Sequence, residues 1–311
     1  MKWVYYGMMY RILFLSIAIL FLCSCTRKDL GQAPLPDNYE EQFADWQEGR
    51  MESLTNPTGW MRLAGMYWLE EGENSFGSGD RVDIQFPEST LPEYAGEFIL
   101  TKGKVRLQAA DGVEFQYEDG TFRQKEIYDG EEALNIEYWS LEWLIIERED
   151  LMGIRLYNKD NPKVDAFTGF DRYPLDPEWH LNAKFEPATE GETISIVNVL
   201  GQLVDTPTPG SIEFSVDGDV YTLDALEGED QMFLIVGDLT NQTETYQAGR
   251  YIYIDYPEEG SDYTIIDFNK MYNPPCAYNL FTTCQLPPIQ NRLDVAIPAG
   301  EKRAEGWEGL E

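Results

Sequence analysis

The stretch that decides the fold is Lys104–Gly130, KVRLQAADGVEFQYEDGTFRQKEIYDG. Val105 and Leu107, then Val113, Phe115 and Tyr117, fall at every second position, and that period is written by a strand with one buried face. Asp-Gly pairs break the pattern at Asp111-Gly112, Asp119-Gly120 and Asp129-Gly130, and a fourth stands at Asp217-Gly218. Such pairs supply the positive φ that two-residue hairpins need. Ile212–Val216 and Val220–Leu223 flank the fourth pair. Further β-rich runs occupy Trp143–Arg148, Gly153–Tyr157, Thr193–Val199, Met232–Val236 and Arg250–Tyr256. Short strands and turns at this spacing predict a mainly β chain, an antiparallel sandwich or open barrel, rather than alternating β and α units. Residues 37–311 read as a single β-rich domain. If they divide into two packed lobes, the Pro/Thr/Glu stretch Glu186–Glu192 is the expected joint.

One amphipathic helix is expected at the N-terminal side, over residues 37–55. Asp37 or Asn38 can cap it, Tyr39, Phe43, Trp46, Arg50 and Leu54 recur at helical spacing, and Pro57 stands just past its end. Phe43 and Trp46 are expected to rest on the body of the domain.

The first 24 residues read as a processing signal outside the fold. Lys2 and Arg11 flank an apolar run from Ile12 to Leu22, too short for the roughly twenty residues of a comfortable membrane span. Leu22-Cys23-Ser24-Cys25 is similar to a bacterial lipoprotein box, which implies cleavage before Cys25 and acylation of its sulfur. The alternative is an ordinary secretory signal that contains cysteines. Thr26–Pro36 then reads as a short tether stiffened by proline. The expected location is the bacterial cell envelope, lipid-anchored on the periplasmic face of the inner or outer membrane, with the bilayer as partner through Cys25.

The formal charge is −33, and the leader holds two cations and no acid, so the remainder is more acidic still. Such a surface argues against nucleic acid, whose phosphates demand a basic face. With aromatics at 14%, the chain is rich enough in core formers to exclude disorder.

The densest polar stretch is Ile266–Asn291, with Asp267, Asn269, Tyr272, two Pro-Pro pairs and Cys276-x7-Cys284. In an exported chain this cysteine pair reads first as a disulfide, closing a loop worth about 2.5 kcal/mol of chain entropy. A metal site or a cysteine nucleophile is the alternative. Both are poorly served, because the only histidine, His180, has no spacing logic to the cysteines and reads best as a solvated strand or turn residue. No G-x-S-x-G elbow, H-E-x-x-H, P-loop or dinucleotide fingerprint is present. Neither metal nor cofactor is expected. Carboxylates, tyrosines and arginines remain. On an extended strand Asp267 and Asn269 face one side and Phe268 the other, toward the core. Arg155, Asp238, Tyr246, Arg250 and Tyr272 are expected to join them in a ligand site beside the Cys276–Cys284 loop. The competing expectation is that Asp267 and Asn269 bond the backbone of their own loop. The aromatic groups Trp60/Tyr67/Trp68, Tyr138/Trp139/Trp143 and Tyr173/Trp179 serve ring-stacking surfaces or, more commonly, cores.

Several blocks together resemble the uncharacterised bacterial family catalogued as domain of unknown function 1684, some of whose members carry lipoprotein leaders. They are Gly59-Trp60, Leu63–Leu69, Gly72–Gly77, Arg155, Phe167-Thr168-Gly169, Tyr173-Pro174, Trp179, Gly237–Thr240, Glu244–Arg250, Asp267–Ala277, Cys284, Leu286-Pro287-Pro288, Asn291 and Ala299-Gly300-Glu301. Met271 and Gln285 depart from the pattern, where the family usually has a small residue and a proline. The resemblance implies a common fold and a shared polar surface, and brings no activity with it. Two functions are therefore expected as alternatives: a ligand-binding or envelope-interaction protein, and a carboxylate-based hydrolase acting on a glycan or other envelope polymer.

Overall fold

The computed structural model describes residues 29–87, 91–149 and 151–307. The leader, and Cys25 with it, lies outside the described residues. The protein is mainly β, built of open sheets that are antiparallel apart from one short parallel pair.

One helix, α1 (Tyr39–Thr55), opens the domain. Glu40 and Glu41 stand in its first turn, where acids complement the helix dipole. Asn38 caps it through the backbone alone, without a side-chain bond. It ends where Asn56 turns extended, as the residue before Pro57 must. Tyr39, Phe43 and Leu54 are buried, and Trp46 is half-buried.

The following strands are β1 (Leu63–Trp68), β2 (Gly72–Gly77), β3 (Ile84–Gln85), β4 (Gly96–Thr101), β5 (Lys104–Ala109) and β6 (Phe115–Tyr117). Next come β7 (Gly120–Phe122), β8 (Gln124–Tyr128), β9 (Ile136–Tyr138), β10 (Leu141–Arg148) and β11 (Leu151–Asn158). They form a sheet in the order β1-β11-β10-β9-β6-β7 and another in the order β3-β2-β4-β5-β8. The core between them is centred on the fully buried Trp143. Phe76, Phe86, Phe98 and Phe115 meet its ring edge-on at centroid distances of 6.3, 5.7, 6.5 and 5.5 Å. That geometry suits the quadrupoles of aromatic rings.

The second group of strands is β12 (His180–Pro187), β13 (Thr193–Val197), β14 (Leu203–Pro207), β15 (Gly210–Val216) and β16 (Asp219–Asp224). It continues with β17 (Leu226–Glu227), β18 (Gln231–Val236), β19 (Arg250–Asp255) and β20 (Tyr263–Asp267). Their sheets run β16-β15-β12-β20, β13-β14 and β17-β18-β19. A separate core gathers Phe214, Met232, Leu234, Ile252, Ile254, Ile266 and Phe268. The chain passes from β11 to β12 through residues 159–179, and Glu186–Glu192 runs from the end of β12 through a turn toward β13. A third cluster, with Leu54, Met61, Val164, Phe167, Tyr278 and Ala304, ties α1 and the connecting segment to the chain's end.

Two local expectations are corrected. Leu30–Ala33, read above as tether, is laid against β12. Gln32 bridges Leu181, Ala33 N–H donates to the His180 carbonyl at 2.8 Å, and Asn182 Nδ2 donates to the carbonyls of Leu30 and Gln32 at 3.0 and 2.9 Å. The cause is that β15 pairs only from Ala183 onward. The backbone of His180–Asn182 would otherwise lack partners on that side. His180 is therefore buried rather than solvated, with Nδ1 3.2 Å from the Ala33 carbonyl and its ring edge-on to Tyr39 at 5.5 Å.

Candidate functional site

A cleft of about 790 Å³ opens where α1, the β10–β11 hairpin, the β13–β14 pair and the β18–β19 sheet converge. That volume lies within the range of small-molecule sites. Four rings line one side. Phe233 stands edge-on to Tyr251 at 4.9 Å and tilted to Tyr253 at 4.9 Å, and Tyr253 stacks parallel to Tyr272 at 6.4 Å. Trp46 and Trp60 come from the helix and the turn after it. Cys284 and Gln285 contribute the wall next to the rings, and the Gln285 carbonyl accepts from Tyr251 Oη at 2.7 Å. Cys276 and Cys284 lie at disulfide distance with Cα atoms 6.0 Å apart, so this wall is part of a closed loop.

Arg50, Arg148 and Arg155 also line the cleft, and they are not equivalent. Arg50 is neutralised: Nε lies 3.1 Å from Glu301 Oε1, Nη2 donates to the Asn273 carbonyl at 3.0 Å, and the guanidinium sits 4.5 Å above the Tyr272 ring. Burial works against its charge, but Glu301, aided by Tyr278 and Tyr272, holds its ionisation above the usual arginine range. Arg148 and Arg155 project from the same face of the hairpin. Arg155 pairs across with Leu144, and Leu144, Ile146 and Arg148 alternate on one side of β10. Neither has a carboxylate within ion-pair distance among the described residues. Arg148 donates from Nε to Thr283 Oγ1 at 3.4 Å and from Nη1 to the Glu147 carbonyl at 2.9 Å. Arg155 lies over the Trp60 ring at 5.3 Å, and its buried Nε has no acceptor. Burial, and then the charge of Arg155, push the Arg148 ionisation down. Glu149, exposed at the hairpin turn, is the one carboxylate among the described lining residues.

Of the residues singled out from sequence, the fold brings Arg155 and Tyr272 to this cleft beside Cys284. It takes Asp238, Tyr246, Arg250, Asp267 and Asn269 elsewhere. Arg250 and Asp238 form a fully buried ion pair with Nη2 to Oδ2 at 2.8 Å. Asp238 caps the turn Leu239–Gln242, accepting from Thr240 N–H at 2.9 Å, while Arg250 Nη2 donates to the Ile297 carbonyl at 2.9 Å. Tyr246 Oη donates to the Cys276 carbonyl at 3.1 Å.

Asp267 does not continue an extended strand into Asn269. It ends β20 and caps a one-turn 3₁₀ helix, Phe268–Lys270. Its carboxylate accepts from Tyr39 Oη at 2.9 Å, Asn269 N–H at 3.2 Å and Asn269 Nδ2 at 3.1 Å. Asn269 in turn exchanges bonds with the backbone of Asp176 at 3.1 and 2.9 Å. Phe268 is buried in the second core, as expected. Among the described residues no cluster of His, Cys, Asp or Glu could hold a metal ion.

Sequence reasoning missed Arg148, Trp46, Tyr251 and Tyr253. The available signal was strand phase: Arg148 lies in the run Trp143–Arg148, out of step with its buried Trp143 and Ile145, and so on the face shared with Arg155.

No curated protein matches the chain. Among solved structures, an uncharacterised protein of Haloarcula marismortui is similar at 26% identity over 47% of this chain and 83% of its own, with a TM-score of 0.39. A second, the FhaA FHA domain in complex with the intracellular domain of Rv3910, is similar at 14% identity over 29% of this chain and 96% of its own, with a TM-score of 0.21. Residues 165–302 match the family described as Protein of unknown function (DUF1684). This segment carries Tyr251, Tyr253 and Tyr272, whereas Arg148 and Arg155 precede it. This match, over less than half of the chain, supports membership of the DUF1684 family.

Proposed function

We propose that the protein is a ligand-binding protein and that the cleft beside α1 is its site. The observation that carries this reading is the convergence of six aromatic side chains and three arginines on one opening of about 790 Å³. Hydrolysis by paired carboxylates is less well supported, because a single described carboxylate lines the cleft and Asp267 is engaged by Tyr39 and its own loop.

Gly49 provides a test that spares the fold. It is exposed on α1 and lines the cleft, and an added Cβ would meet nothing within 4 Å. Gly49→Ala is expected to stabilise the protein by about 0.5–1 kcal/mol, since glycine is a poor helix former. Gly49→Trp is expected to fold at least as well as the natural chain and to fill the cleft. A small-molecule screen by melting temperature should find compounds that raise the midpoint of the natural protein, by the equivalent of about 2.7 kcal/mol at a hundredfold excess over Kd. Those shifts should vanish in Gly49→Trp. Hits that stabilise both proteins equally place the site elsewhere.

We further propose that the domain is held at the bacterial envelope by a lipid on Cys25. The Leu22–Cys25 sequence supports this reading. The docking of Leu30–Ala33 on β12 gives it a geometric consequence, since the four steps along the chain from Cys25 to Asp29 reach at most about 14 Å. The anchored domain would stand close to the bilayer. Intact mass of the membrane-extracted protein is expected to show a chain that begins at Cys25 and carries acyl groups. An unacylated chain, or one beginning elsewhere, removes the anchor.

A further inference from the structure

We infer that the cleft takes an oxyanion carried on a flat ring, with the carboxylate or phosphate on Arg148 and Arg155 and the ring against the aromatic wall. The inference rests on the reading of the cleft as a ligand site and adds the chemistry of the ligand.

The chain has 56 acids against 23 lysines and arginines, so a random patch of surface is acidic. The cleft inverts that balance with three arginines and Glu149 alone among described carboxylates. Arg50 is satisfied by Glu301. Arg148 and Arg155 share one face of the hairpin, near enough for Arg155 to depress the ionisation of Arg148. Two partly buried like charges with no carboxylate in ion-pair reach among the described residues raise the energy of the empty protein, and a bound anion removes that cost. Guanidinium forks match the paired oxygens of a carboxylate or phosphate. The buried Nε of Arg155, which has no acceptor, is a donor already desolvated and waiting for one.

Beyond the arginines the wall includes Trp46, Trp60, Phe233, Tyr251, Tyr253 and Tyr272, with Thr283 already bonded to Arg148. A bare ion would leave these faces wet, whereas a flat ring would stack on them. The acidic exterior does not override the local attraction, because exposed charges farther than about 8–10 Å are screened at physiological salt. It should slow the approach of an anion, so added salt is expected to raise the on-rate while weakening the bound state.

The test is calorimetric titration of the purified protein with phenyl phosphate, benzoate, phenol and inorganic phosphate. At least one anionic ring compound is expected to bind saturably at roughly millimolar concentration or below, and at least tenfold more tightly than phenol or inorganic phosphate. The two arms, phosphate and carboxylate, tell which oxyanion the arginines prefer. Arg148→Met and Arg155→Met should each weaken that binding by about ten- to a hundredfold. Neither orphans a carboxylate among the described residues, so the melting temperature without ligand should hold or rise. Phenol binding as tightly as its anionic counterparts, with loss in Gly49→Trp, would overturn the anion while leaving the cleft as a ligand site. So would affinity for the anions unchanged in both methionine variants. Absence of saturable binding by either anionic compound also overturns the inference.

Discussion

Arg250→Met is expected to destabilise the protein by about 3–5 kcal/mol, the cost of stripping a buried charge of its partner. Both side chains of the Arg250–Asp238 pair are fully buried. Besides Asp238, the guanidinium serves the carbonyls of Ala299 and Ile297 and lies 3.3 Å from Thr240 Oγ1. Asp238 accepts from Thr240 N–H, from Thr240 Oγ1 at 2.6 Å and from Ile297 N–H at 3.2 Å. The pair thus clips Ile297–Ala299 onto β19 and the capped turn. Methionine fills much of the volume but leaves the Asp238 charge without its cation, and takes the guanidinium donor from Asp238 Oδ2 and from the Ala299 carbonyl. Asp238→Leu should cost a similar amount, and the double variant less than the sum, because no lone charge remains. Urea unfolding followed by tryptophan fluorescence reads all three. A loss below about 1 kcal/mol for Arg250→Met, the scale of a surface pair, would sink the argument.

This pair also shows why the site was harder to read than the fold. Asp-Gly pairs report a local backbone property, and where the strands they separate are partners the reading holds. Asp217 and Gly218 both have positive φ, and Val216 pairs with Asp219. At Asp119-Gly120 the turn slips by one residue: Glu118 takes the positive φ, and Gly120 already pairs with Tyr117. Asp111-Gly112 joins β5 to β6, which belong to different sheets, and Lys102-Gly103 makes a hairpin without an Asp. Positive φ is written locally; the choice of partner strand is not. The same limit is sharper for side chains. Asp238, Arg250, Asp267 and Asn269 look in sequence like chemistry. A polar residue that satisfies a buried loop is the same residue type as one that meets a ligand. Strand phase puts Arg148 on the face of Arg155, but what distinguishes it, the lack of a carboxylate within ion-pair distance among the described residues, shows only in three dimensions.

Raising the pH through 10 is expected to unfold the protein steeply, with a midpoint between about pH 11 and 14. Burial is the first cause that lifts the ionisation of Tyr251, Tyr272 and Tyr278 well above the ordinary tyrosine value, and it lifts Tyr67 to about 12. In the unfolded chain these phenols lose their protons near pH 10. Above that pH the native state binds protons that the unfolded state has released, so stability falls as pH rises. Below it, these groups contribute their full stabilisation. Each such phenol removes about 1.4 kcal/mol per pH unit within the window, and the three tyrosines around the cleft and the third cluster together about 4 kcal/mol per unit. A reserve of about 5–15 kcal/mol is exhausted within one to a few units. Tyr278→Phe separates this mechanism from general repulsion in an acidic chain. The Tyr278 hydroxyl is buried without a hydrogen-bond partner, so its removal orphans nothing, while one titrating group is lost. The variant should be about as stable as the natural protein at neutral pH and unfold at a higher pH. Circular dichroism and phenolate absorbance, recorded on the same samples, check both statements. Phenolate absorbance complete near pH 10 with the circular dichroism unchanged would mean that the buried tyrosines ionise inside the folded protein, and the mechanism would fail.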